Sequence, residues 1–422
     1  MSDELPQRTR VLVIGGGPVG LVVSALLSDE GVANVVVERR RGTQRAPAAH
    51  VLRRRPMEIL ERIGVAGEIR REAPSLALDF ITWCTTLGGT ELGRLDLRPI
   101  DAATGVRRPE PWTNCPQNVL EPILLRAAAR RPEARVVTGA ACVAVEERGD
   151  AVVARIRRDD GTEQQVEAAW VIAADGASSP TRRAVGIPMQ GIGPLGRFSM
   201  VHFAADLQPW IRGRSGPIFW ILNPEAPGAV IVHDPERSHV FMLQGSGAAS
   251  DAREDETIPA RLAAALAVPV TPEILSVDSW SPHVQVAARY RHGRVFLVGD
   301  AAHRFPPTGG LGLNTGIAEA DVLCRLLGRV EAGSAPASLL DAYEPACRPV
   351  AQANADASFE NMKRLGEISE VIGPASDLAA LEARAVSFSQ TERRQLEKAI
   401  ESQREHFGWD GRLPEQPAMH VA

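Results

Sequence analysis

Val11-Leu12-Val13-Ile14-Gly15-Gly16-Gly17-Pro18-Val19-Gly20 is the stretch that decides the fold. Four consecutive apolar residues after Arg10 read as a buried parallel strand. The glycines then follow the G-x-G-x-x-G spacing, and an apolar helix runs on to about Leu27. In such a turn Gly15 permits the tight bend, Gly17 lets the backbone approach a pyrophosphate, and Gly20 lets helix and strand pack closely. The helix start offers unpaired N–H groups and partial positive charge to phosphates. Gly31 closes the helix, and Val35-Val36-Val37 makes a second strand ending at Glu38, where an acid would bind ribose hydroxyls. A glycine-rich turn with no ligand is the plain alternative. Strand, turn, helix and acid in this order favour dinucleotide binding, without separating FAD from NAD.

Working outward, a helix is predicted over Pro56–Ile63 and another over Asn118–Arg130. Between them, residues 74–111 change to strand-like segments such as Phe80-Ile81-Thr82-Trp83. Three strands at Ala141–Glu147, Ala151–Arg157 and Gln164–Glu167 read as a meander, and Trp170–Ala174 as a fourth strand. Residues 191–282 are strand-rich again, with one helix near Ile258–Ala267. Arg294–Val298 returns to a parallel-type strand, followed by a glycine-rich loop, a helix to about Leu327 and helices to Phe407. The prediction is an α/β fold. A Rossmann-type domain comprises residues 1–74, 111–190 and 283–334, and a sheet-rich substrate lobe comprises 75–110 and 191–282. C-terminal helices and a tail fill 335–422.

Two further motifs carry chemistry. Asp175-Gly176 ends the Trp170–Ala174 strand and, alone, is usually just a turn. The run from Gly299-Asp300 through His303, Pro307 and Gly312-Leu313-Asn314 is more specific. An Asp after a buried strand can bind a ribityl hydroxyl, and the helix that follows can stabilise negative charge on a reduced flavin.

These motifs, in this order, resemble the class A flavoprotein monooxygenases of the p-hydroxybenzoate hydroxylase fold. The similarity is closest to the phenol and 2,4-dichlorophenol 6-monooxygenase-like branch. Arg55-Pro56-Met57-Glu58 and Gln117-Asn118-Val119-Leu120-Glu121 resemble segments of the same family. The resemblance implies bound FAD held by Gly15, Gly17, Gly20, Glu38, Arg55, Gln117, Asp175, Asp300, Gly312, Leu313 and Asn314. It implies NADPH or NADH as a transient reductant and insertion of one oxygen atom of O2, through a flavin C4a-hydroperoxide, into a phenolic or polyketide-like aromatic substrate. Such chemistry belongs with antibiotic biosynthesis. Pro307 would sit beside the flavin, its carbonyl open to a substrate hydroxyl, and His50 stands where phenol hydroxylases place an acid/base residue. A hydrogen-bonded loop histidine is the plain reading of His50, and His303 reads as structural.

The chain departs from the family where Pro47-Ala48-Ala49 replaces Pro-Arg-Ala, leaving Arg45 or Arg53 to serve the pyrophosphate. Glu319-Ala320 and Cys324-Arg325 replace Asp-Ala and Trp-Lys. The thioredoxin-like domain of longer relatives is expected to be missing. Trp83, Trp112, Phe219, Trp220, His202 and His233 are candidates for the substrate cavity or for ordinary core.

A net charge of −5 without a basic block argues against nucleic acid. Five cysteines without metal-ligand spacing read as reduced thiols, and no metal is expected. The polar first ten residues and the glycines inside Val11–Leu27 argue against a signal peptide or membrane span, so the expected location is cytoplasmic. The C-terminal helices could pack on a second subunit as a homodimer. Three alternatives stay open: a flavin epoxidase, a Baeyer–Villiger oxygenase, and a FAD-binding protein without NAD(P)H-driven turnover.

Overall fold

The computed structural model describes residues 5–98, 112–214, 216–245 and 252–404. The expectations for the end of the first lobe segment (99–110) and for the C-terminal tail fall outside them.

The glycine turn opens a five-stranded parallel core. Arg8–Ile14 lies at its middle, flanked by Asn34–Glu38 and then Ala134–Thr138 on one side. Glu163–Ala173 and then Val295–Leu297 lie on the other. Side chains alternate across this sheet, as strand geometry requires. Val11, Val13 and Val36 face a helical layer built from Pro18–Asp29, Gln117–Ala129 and Leu311–Glu331. Leu12, Ile14, Val35 and Val37 face the opposite side, where the Ala140–Arg148 and Ala151–Arg158 hairpin supplies Val152, Ala154 and Ile156. The runs read as unbroken apolar sequence because both faces are buried.

Two predictions change here. Gln164–Glu167 and Trp170–Ala174 form one strand, Glu163–Ala173. One edge runs beside Arg8–Ile14, while the other exchanges Ala151–Arg158 for Val295–Leu297. The change of partner, rather than a turn, makes the sequence look broken. The parallel edge strand Ala134–Thr138 was not anticipated; only its Val136 and Val137 are buried.

A second sheet has seven strands, ordered Glu273–Trp280, Phe198–Ala204, Ser238–Gln244, Gly228–Asp234, Ile218–Ile221, Phe80–Cys84 and Glu91–Asp96. One face buries Val201, Phe203, Phe219 and Phe241 against Ile258, Leu262 and Leu266 of helix Ala252–Leu266. The other buries Ile81, Trp83 and Leu95 beneath Ile368, Leu381, Phe388 and Leu396 of the C-terminal helices. Those helices are well started: Asp377 caps Leu378–Ser387, and Ser389 with Glu392 forms a capping box on Gln390–Ser402. Glu382 accepts hydrogen bonds from the Thr85 and Thr90 hydroxyls and so ties a helix to the sheet edge. Among the described residues no helix is long and apolar enough to cross a membrane.

The glycine turn makes a stability test specific. A Cβ on Gly20 would lie 2.0 Å from the Gly15 carbonyl oxygen, whereas one on Gly17 would meet nothing within 4 Å. Gly20→Ala should therefore destabilise the fold by roughly 1–3 kcal/mol. Gly17→Ala should leave the melting temperature of the ligand-free protein within a degree or two of the parent. Equal melting temperatures for the two variants would refute this packing account.

Candidate active site

The three motifs meet at the carboxyl ends of the parallel strands. Gly15 has φ +106°, and a Cβ there would strike the Ala174 carbonyl at 2.3 Å, so the first turn is pressed against the strand end that carries Asp175. Asp175 accepts from the Ser179 hydroxyl and from the Thr181 N–H at 3.0 Å, which fixes the start of helix Pro180–Ala184. Arg182 then donates to the Ala301 carbonyl at 2.9 Å, and Arg304 reaches back to the Ala177 carbonyl. Two arginines staple the second motif to the third. Their sequence context gave no sign of this role.

The residues fit a dinucleotide. Neither helix Pro18–Asp29 nor helix Leu311–Glu331 has a side-chain cap, so each presents backbone N–H groups at its start. Around Gly17 and Gly310 there is room that a side chain would fill. Glu38 is buried at its strand end, accepting from Gly16 N–H at 2.7 Å and from Arg40. Gln117 donates to Glu121 at 2.7 Å, and Glu121 also accepts from Gln44 N–H and lies 3.6 Å from Arg40. A polar chain thus joins Glu38 to Gln117 across 79 positions of sequence.

Asp300 is open to solvent-sized space, yet protein encloses it enough that burial raises its carboxyl above the ordinary range, against the lowering charges of His303 and Arg304. Such a carboxylate lines a cleft rather than an outer surface. Its Oδ1 is 3.9 Å from where a Cβ on Gly312 would lie, so it faces the start of the Leu311–Glu331 helix. Leu313 is half-buried on that helix, and Pro307 is exposed on the loop before it. Behind the loop, Glu319 accepts from Gly299 N–H at 2.9 Å and lies 3.2 Å from His303 Nε2, both side chains fully buried. Burial pushes the His303 imidazole down, but Glu319 outweighs it and leaves the pKa raised. His303 also stacks on Phe305 with centroids 4.5 Å apart. It is a prop for the loop.

Two expected cofactor contacts have their side chains bound elsewhere. Asn314 accepts from Arg53 N–H at 3.0 Å and donates to the Val51 and Gly310 carbonyls, so its amide clamps strand Val51–Leu52 to the helix start. Arg55 donates to Glu58 and to Asp321, which also holds Arg62 and Arg325. Arg53 is the more central arginine: it is buried, donates to the Gly309 carbonyl at 2.6 Å and lies 4.5 Å over the Trp112 ring. Ala48 and Arg45 are both exposed.

His50 precedes this clamp. Its Nδ1 is 3.0 Å from Asn114 Oδ1, and its ring meets that of His233 edge-on at 4.7 Å. Of the cavity candidates, Trp112 and His233 thus approach the site. Trp83 lies in the core under the C-terminal helices, with Trp220 packed against it, and Phe219 points into the opposite core. His202 lies 3.3 Å from the Ser238 hydroxyl. A cavity of about 230 Å³ lined by Leu76, Ile211 and Pro235 contains none of the candidate residues. Among the described residues no metal-binding cluster occurs, and all five cysteines are free.

Burial lowers the imidazoles of His50, His202 and His233, and takes His239 down to about 4. A ring that is neutral when folded and ordinary when unfolded lets the unfolded chain bind protons first. Stability should therefore fall as pH drops below the usual imidazole value of 6.5, and this loss should level off near the folded values. His239 alone accounts for roughly 3 kcal/mol of that loss. Melting curves from pH 7 to 4 should show a shallower decline for His239→Gln; an identical decline would contradict it.

Comparison with known proteins completes the assignment. The model of the family described as "FAD binding domain" matches residues 8–358. The chain is 38% identical over 361 residues to a putative polyketide hydroxylase of Streptomyces halstedii, covering 83% of this chain and 65% of that protein. It is 32% identical to a 2,4-dichlorophenol 6-monooxygenase of Cupriavidus pinatubonensis, covering 82% and 60% respectively. The chain thus spans less than two thirds of the length of either relative. The crystal structure of the flavin-dependent monooxygenase PieE in complex with FAD and substrate superposes with TM-score 0.86 at 29% identity, covering 94% of this chain and 71% of that one. With its glycine turn, Asp-Gly strand end and Gly-Asp loop drawn together in this fold, the chain belongs to the FAD binding domain family.

Proposed function

We propose that the chain is a FAD-dependent monooxygenase that consumes NADPH or NADH and inserts one oxygen atom of O2 into a phenolic or polyketide-like aromatic substrate in the cytoplasm. The names of its relatives support the substrate class. The observation that carries the reading is the Arg53–Asn314 clamp, which joins the strand after His50 to the Pro307–Gly310 loop. A candidate base and a candidate cofactor loop are thereby held as one unit.

In this reading residues 1–74, 111–190 and 283–334 bind FAD, and 75–110 with 191–282 cover the substrate. Gly15, Gly17, Gly20 and the first helix start hold the pyrophosphate. Glu38 holds ribose hydroxyls, with Gln117 and Arg55 at the outer edge. Asp300 holds the ribityl chain, with the backbone of Gly312, Leu313 and Asn314 beside the ring system. Asp175 acts from behind by fixing the second turn. Bound FAD supplies the two-electron carrier that accepts hydride and activates dioxygen. The Pro307 carbonyl accepts a hydrogen bond from the substrate hydroxyl, and His50 takes its proton. The second sheet excludes water, which keeps reducing equivalents from being lost to peroxide.

A second reading, FAD binding without NAD(P)H-driven turnover, draws on one feature. Ala48 is exposed where the family has arginine, and Arg53 is already bound to Gly309 and Trp112. Anaerobic reduction separates the two. NADPH or NADH should bleach the flavin, and 2,4-dichlorophenol or a hydroxylated anthraquinone should accelerate it; no bleaching with any combination favours the second reading. Asp300→Ala should weaken FAD retention at least tenfold, measured by fluorescence titration. Undiminished affinity would remove the ribityl role. His50→Ala should slow hydroxylation far more than flavin reduction, by roughly 100-fold.

A further inference from the structure

The polar junction beneath His50 decides which of its nitrogens can act. Asn114 sits in the two-residue strand Thr113–Asn114, paired with Val51–Leu52, and is almost fully buried. Its Nδ2 lies 3.0 Å from the His233 carbonyl oxygen and 3.4 Å from that of Pro74. Both partners are acceptors only, so the amide nitrogen belongs on that side. Oδ1 is then the atom 3.0 Å from His50 Nδ1. An amide oxygen cannot donate, so the proton in this bond sits on Nδ1. A neutral imidazole carries a single N–H, which leaves the lone pair on Nε2. Among the described residues Nε2 has no hydrogen-bond partner. The ring keeps intermediate exposure, with protein close enough around it that burial lowers its pKa. The His50 carbonyl accepts from Cys115 N–H at 2.6 Å, which fixes the backbone on both sides of the ring contact.

We propose that Asn114 is a positioning residue that sets the tautomer of His50, presenting Nε2 as the proton acceptor for the substrate hydroxyl. The proposal rests on the reading of His50 as the base. In the step, the phenol O–H bond breaks, its electron pair stays on oxygen, and an N–H bond forms at Nε2. The resulting imidazolium keeps its Nδ1–H on Asn114. The proton returns to that oxygen when the product phenol forms, and the ring ends neutral. The His233 ring, edge-on at 4.7 Å, closes the other side. Burial depresses His233 and the more distant His202 and His239 as well, so these imidazoles stay neutral at neutral pH, although Asp278 lies near His202, and Asp234 and Asp206 near His239.

The test uses the FAD-loaded protein labelled with ¹⁵N-histidine, with His50→Gln to assign the signal. At pH 7–8 the His50 ring should show a protonated Nδ1 and an unprotonated Nε2. Asn114→Leu, similar in size but unable to accept, should shift the population towards Nε2–H. It should also slow coupled hydroxylation of 2,4-dichlorophenol roughly 10- to 100-fold, with flavin reduction unchanged. Asn114→Asp, which still accepts, should keep the Nδ1–H form and move the acid limb of kcat/KM to higher pH, because a carboxylate raises the imidazole pKa. It provides the comparison if the leucine variant fails to fold. A wild-type proton on Nε2, or a tautomer unchanged in Asn114→Leu, overturns the proposal. The expected tautomers with unchanged hydroxylation in both Asn114→Leu and His50→Gln would instead overturn the reading of His50 as base.

Discussion

The close approach of backbone to backbone at the first glycine turn is the constraint on which the rest depends. Gly15 presses on Ala174, and Gly20 on the Gly15 carbonyl. Only then can the Pro18–Asp29 helix lie on the sheet with its N-terminus over the strand ends. Val19, on the same turn, fits against Gly299 and Gly316, so the third motif is seated on the first. Packing of helix Leu311–Glu331 against helix Pro18–Asp29 continues that contact along the layer. The cleft is defined before any charged side chain contributes.

Charged side chains then decide what moves with what. Arg182 and Arg304 join the Asp-Gly turn to the Gly-Asp loop, and Arg53 joins the His50 strand to Gly309. In each case a guanidinium donates to a backbone carbonyl, and the Arg182–Ala301 and Arg53–Gly309 bonds are buried or half-buried, where a lost hydrogen bond would cost more than at the surface. Asp321, Arg55, Arg62 and Arg325 form a separate ionic group on the helix layer, where burial raises the Asp321 carboxyl but Arg62 and Arg325 outweigh it and hold it below its usual range. The loops of the cleft are therefore held to the scaffold by side chains from three distant parts of the chain.

Most of the parallel sheet and its turns was legible in the sequence because the signals are local. Apolar runs mark buried strands, and glycine spacing marks turns that demand close approach. What was not legible depends on pairs far apart in the chain. Asn114 lies in a strand too short to show a period, and its partners are His50, Pro74 and His233. Alternation separates Phe219 from Trp220, and parallel pairing puts Trp220 beside Trp83. Local pattern cannot say that the Trp83 face meets the C-terminal helices while the Phe219 face meets helix Ala252–Leu266. Arg55 and Asn314 show the converse. Their positions in the motifs pointed to the cofactor, but the ion pairs and amide bonds that engage their side chains come from other elements.

The electrostatic contrast between the two sides of the cleft follows from that arrangement. On the cofactor side, Asp300, Glu319 and His303 keep charge close to the loop, and the ion pair holds His303 protonated to higher pH than a free imidazole. On the lobe side, His50, His233, His202 and His239 are enclosed and neutral, and Asn114 supplies an oxygen without a charge. In the proposed reading, a carboxylate in place of Asn114 would make His50 a stronger base, but would also favour its protonated form and place an anion beside a developing phenolate. A neutral acceptor orients the ring without either effect. In the proposed reading, proton transfer then depends on the acidity of the bound hydroxyl, and an aromatic whose hydroxyl is acidified by its own substituents would be the better matched substrate.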